Sequence, residues 1–155
     1  AEAKAEKGSD VFVPVREDEI IAKRTAEVDA KVKKEDDMFW RHLMSVGRRY
    51  QYGILTGMQE TVIAQALQAA GLDENTDHEQ ITVYFTDSRK NSKLNLYMNM
   101  VRLNDILIDA MEVTSRDDEQ QVVLKLHGNI KEPDMRRLLC QLGKEANEFK
   151  ITALQ

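Results

Sequence analysis

The chain has 155 residues, 42% hydrophobic and 32% charged, with a net charge of −5. This is the profile of a soluble globular protein with one domain as the default at this length. No apolar run approaches the ~20 residues that span a bilayer, the opening "AEAKAEKGSD" lacks the apolar segment of a secretory signal, and the single cysteine, Cys140, excludes an internal disulfide. A cytoplasmic protein that does not enter membranes is therefore expected.

The charge is unevenly spread. Residues 1–37 carry 8 basic and 11 acidic side chains, whereas residues 38–71 carry Arg41, Arg48 and Arg49 against Glu60 alone. Residues 1–16 read as a flexible tail, being mostly small and charged at the start. Residues 17–37 read as a charged helical arm with good helix formers throughout. Its apolar positions are sparse: Ile20, Ile21, Val28 and Val32. Acids at its start and lysines near its end suit the helix dipole. Residues 38–155 read as one α+β domain.

Within that domain, 38–71 carries the strongest helical signal. Phe39, Leu43, Val46, Tyr50 and Ile54 recur at three- and four-residue spacing, and Met58, Val62, Ala66 and Ala70 continue the stripe. Gly71 supplies a stop. Gly47, Gly53 and Gly57 each cost about 1 kcal/mol relative to Ala in a helix. They predict either a break near 47–53 or a single helix whose glycines face a neighbour.

After the polar linker "DENTDH" the stretch "EQITVYFTD" alternates, with Ile81, Val83 and Phe85 on one face, and predicts a strand. "SRKNS" is a turn. From Lys93 the residues alternate again, Leu94, Leu96, Met98 and Met100 against Lys93, Asn95, Tyr97 and Asn99. That pattern favours a strand, a turn at Asn104–Asp105 and a second strand through "ILIDAMEVT". One long helix over 93–111 is the alternative, favoured by the helix propensity of Leu and Met. "QVVLKLHGN" predicts a further strand. Pro133 opens a helix with the stripe Met135, Leu138, Leu139 and Leu142. "NEFKITAL" predicts a last strand. The whole reads as α+β: a helical N-terminal half, then an antiparallel sheet of about four or five strands backed by a C-terminal helix. A helix followed by a strand meander, from about residue 60 to 130, is similar in order and alternation to the Sm-like RNA-binding proteins. No individual residue carries that likeness, and no membership follows from it.

The chemistry-bearing residues do not assemble into a known constellation. His42, His78 and His127 lack partners at metal-ligand spacing. Cys140 lies in an apolar helical stripe, where a free cysteine packs as a small apolar group. The runs Glu35-Asp36-Asp37 and Asp117-Asp118-Glu119 point their carboxylates in different directions. No glycine-rich phosphate loop is present. No catalytic residue, metal or cofactor is expected, and the leading expectation is a non-enzymatic, self-associating protein-interaction module: an adaptor, assembly factor or small structural subunit. Its contact surface is expected to use Met98, Met100 and Met111, since Met adapts to irregular partners, together with Ile20, Ile21 and Val28 of the arm.

RNA or single-stranded DNA binding is the alternative. It rests on "GRRYQYG", with Arg48, Arg49, Tyr50 and Tyr52, and on the basic loop bearing Arg89, Lys90 and Lys93, because arginine pairs with phosphate and tyrosine stacks on bases. An enzyme without a recognisable motif is the third possibility.

Overall fold

The computed structural model describes residues 11–26 and 32–155. Pro14 supplies a pre-set φ at the start of α1 (Pro14–Thr25), which is followed by α2 (Lys33–Ile54) and α3 (Thr56–Ala70). From there the chain runs β1 (Gln80–Ser88), α4 (Leu94–Leu103), β2 (Ile108–Arg116), β3 (Glu119–His127), α5 (Pro133–Glu145) and β4 (Asn147–Leu154). The expected α+β architecture is present, with a four-stranded sheet in the order β2-β3-β1-β4 and every neighbouring pair antiparallel. From Gln80 onward the order β-α-β-β-α-β is the split βαβ arrangement.

Alternation places the core. Ile81, Val83 and Phe85 pair with Leu126, Leu124 and Val122, and all six are fully buried. Against them pack Tyr97, Met100 and Val101 of α4 and Met135, Leu138, Leu139 and Leu142 of α5, with Ile63 and Leu67 of α3 completing the cluster. Helix α3 comes so close to α5 that a Cβ on Gly143 would stand 2.6 Å from Val62 Cγ1. Helix α2 lies outside this layer, on α4 and α5, and α1 packs on α2. No described helix is long and apolar enough to cross a membrane.

Three expectations change. Residues 94–103 form a helix, not a strand, and that helix stops at Leu103, so one continuous helix over 93–111 does not form either. The turn at Asn104–Asp105 and the strand after it do form. The deciding group is Asp87 at the end of β1. Its carboxylate accepts hydrogen bonds from the Lys93 amide (2.9 Å) and the Ser92 hydroxyl (2.6 Å), and so fixes the first turn of α4. Once coiled, the segment buries Tyr97, Met100 and Val101 together, which a strand cannot do. Because α4 intervenes between β1 and β2, the strands are not the meander that suggested Sm-like proteins. Last, the helical break falls at Leu55, just beyond 47–53. There the buried Gln59 side chain donates to the Tyr52 carbonyl at 2.8 Å.

Candidate interaction surface

The inward side of α2 is polar. Arg48 donates from Nε and Nη2 to the two oxygens of Glu145 on α5, each at 2.9 Å, and from Nη1 to Glu17 on α1. The Phe12 ring covers the guanidinium at 4.5 Å. Gln141 donates to the Ser45 carbonyl at 3.2 Å and to Glu145 at 3.4 Å. Burial alone would lower the Arg48 pKa; the hydrogen bonds and charge of Glu145, and then of Glu17, outweigh it and raise it. Burial, followed by the Glu145 charge, pushes the Tyr52 phenol far above its ordinary value. Arg41 is held by Asp37 at 3.0 Å and Asp18 at 2.7 Å. Arg49 donates to Asn104 at 3.3 Å, where Arg137 of α5 also donates at 2.6 Å. All three arginines of α2 therefore turn toward the protein.

The outward side of the same helix is apolar. Phe39 is 57% exposed, Leu43 48% and Tyr50 58%, with Met38 and Ile54 beside them. Gly47 and Gly53 are the other exposed residues from Met38 to Ile54, so this face carries no charge. From Met38 through Gly71 the single exposed charged residue is Glu60. In a chain that is 32% charged, the stretch of α2 from Met38 to Ile54, with arginines inward and apolar side chains outward, reverses the ordinary arrangement of a surface helix, while the first turn, Lys33 to Glu35, is exposed and charged.

A second apolar strip lies on β2. All nine of its residues are exposed, and it pairs with β3 alone. Met111 and Val113 share a face with the buried Leu124 and Val122 but stand beyond the helical layer, next to exposed Leu107 and Ile108.

The residues singled out from sequence distribute as follows. Arg48 and Tyr52 are buried, at 6% and 1% exposure, so neither is presented to a nucleic acid backbone. Tyr50 is exposed and Arg49 half-buried. Arg89 and Lys90 are exposed, although Arg89 is tied to the β2–β3 hairpin by its bond to the Asp117 carbonyl at 2.9 Å. Lys93 is half-buried, 5.8 Å from the Phe12 ring. The two basic stretches thus meet at Phe12, but around a ring that seals Arg48 from solvent.

Of the expected contact residues, Ile20 and Met111 are exposed and Met98 is half-buried against the core. Ile21 and Met100 are core residues instead, because each lies on the inward face of its helix. Val28 lies outside the described residues. The apolar stripe of α2 was legible in the sequence. Its outward direction was not, since it is set by Glu17 and Glu145, distant in sequence from Arg48.

His78 joins two loops: Nδ1 meets the Thr76 carbonyl at 2.6 Å and Nε2 meets the Ile130 amide at 3.0 Å. Burial pushes the Cys140 thiol up to about 12, which leaves it protonated and inert at neutral pH. Among the described residues no group of three or more His, Cys, Asp or Glu side chains is placed to hold a metal ion. No family model matches this chain, and neither the curated proteins nor the solved structures include a match to it.

Proposed function

We propose that this chain is a non-enzymatic protein-interaction module, an adaptor, assembly factor or small structural subunit that docks a protein partner through the outward face of α2. The observation that carries this reading is the charge-inward orientation of that helix. Contiguous exposed apolar patches rimmed by polar residues mark contact surfaces in soluble proteins. Fully burying a Leu or Phe side chain stabilises by roughly 1.5–3 kcal/mol. Completing the half-burial of Phe39, Leu43 and Tyr50 would therefore contribute on the order of 1 kcal/mol each.

The test is capture from native lysate, with and without nuclease, using the wild type and the Leu43→Glu and Tyr50→Glu variants. Both positions are solvent-facing, so the variants keep their circular dichroism spectra. The expected result is a protein partner held by the wild type and lost by both variants. Equal capture by all three would remove α2 as the docking face. A partner released by nuclease alone would favour the nucleic-acid alternative on Arg89, Lys90 and Lys93.

A further inference from the structure

We infer that the occupant of the α2 face is a second copy of this chain, seated by its own α2 in antiparallel register about a two-fold axis. This rests on the interaction reading above and names its partner. Three features of the molecule select a copy of itself.

The first is spacing. Phe39, Leu43, Val46 and Tyr50 stand at intervals of four, three and four residues, a pattern that reads the same in reverse. An isologous interface must be self-complementary. Antiparallel pairing about a point between Met44 and Ser45 sets Phe39 on Tyr50 of the second copy and Leu43 on its Val46. Every layer of a coiled-coil seam is then filled from both sides. Gly47 lies within one turn of the crossing point. Nothing stands within 4 Å of where its Cβ would be, so the two backbones have room to approach.

The second is charge. Two chains that each carry −5 repel, and like charges juxtaposed across an interface cost several kcal/mol. From Met38 to Ile54 the α2 face has no exposed charge to juxtapose. The third is the absence of a cover over the stripe among the described residues. Four layers make a short seam beside the roughly 800 Å² per partner of a standard interface, so the dimer is expected to depend on concentration.

Light scattering across a concentration series tests this, together with Gly47→Arg. The substitution meets open space in the single chain and replaces a poor helix former with a good one, so thermal stability of the monomer holds or rises. It also plants a long cation in the seam within one turn of the two-fold, in the layer of His42 of the second copy, where its desolvation opposes pairing. Expected are a wild-type mass that climbs to twice the chain mass and a Gly47→Arg protein that stays at one. A mixture of Leu43→Cys and Val46→Cys proteins should form a crossed disulfide, while Phe39→Cys alone should not crosslink; Cys140 is buried and does not compete.

A wild type that stays monomeric throughout, a dimer that survives Gly47→Arg, or efficient Phe39→Cys crosslinking overturns the antiparallel pairing. A monomeric wild type whose Leu43→Glu variant still loses a lysate partner would defeat self-pairing and leave the interaction reading standing. If capture is also unaffected, both fall.

Discussion

Arg48 shows how a single side chain sets the direction of a helix. A lone cation in a protein interior is far more costly than an exposed leucine, yet here the arginine is inside and Leu43 outside. The difference is the bidentate fork to Glu145 and the further bond to Glu17, which satisfy three of the guanidinium's five donors. Such a cluster is a weak net stabiliser, but breaking it leaves uncompensated charge. Arg48→Met removes the cation between two buried carboxylates and is expected to cost about 3–5 kcal/mol in urea unfolding. Arg48→Lys keeps the charge but loses the fork and should fall between. A loss below about 1 kcal/mol for Arg48→Met would mean that Glu17 and Glu145 reach water in the folded state.

The elements differ in how openly the sequence declares them. Strands β1 and β3 are plain because each alternates and lies in the sheet interior, where one face is wholly buried. Helix α5 is plain because Pro133 opens it and Met135, Leu138, Leu139 and Leu142 repeat at helical spacing. Residues 94–101 mislead because apolar side chains at 94, 96, 98 and 100 alternate while those at 94, 97, 98 and 101 also lie one helical turn apart. What resolves them is distant in sequence: Asp87 caps the first turn, and Phe85 takes the Tyr97 ring edge-on at 5.0 Å.

Gly143 is equally illegible locally, since its reason is Val62 on another helix. Gly143→Ala gains about 1 kcal/mol of helix propensity against an overpacking cost of about 1–3 kcal/mol. A Cβ placed 2.6 Å from Val62 Cγ1 sits in the strained part of that range, so net destabilisation is expected in denaturant melts. Adding Val62→Ala should recover part of it. A Gly143→Ala protein more stable than wild type would mean that the α3–α5 contact relaxes freely.

At the scale of the whole molecule, the fold class was readable because a helical N-terminal half precedes the part that carries the strands, whereas most of the proposed contact surface was not. Met100 and Ile21 have the character of contact residues but point inward. Phe39, Leu43 and Tyr50 have the character of core residues but point outward. Composition alone cannot assign inside and outside to an amphipathic helix when its polar side has buried partners elsewhere. The same arrangement separates the competing functions by their response to salt. Pairing through an uncharged face loses no ion pair when salt is added, and the mutual repulsion of two acidic chains is screened. Self-association measured by light scattering should therefore hold or tighten as salt rises. Binding of RNA or single-stranded DNA by the exposed Arg89 and Lys90 would instead weaken steeply, because each phosphate contact releases counterions. A complex that dissociates on modest salt addition and reforms on dilution would therefore point to the basic loop at residues 88–93, not to the helix that turns its charges inward.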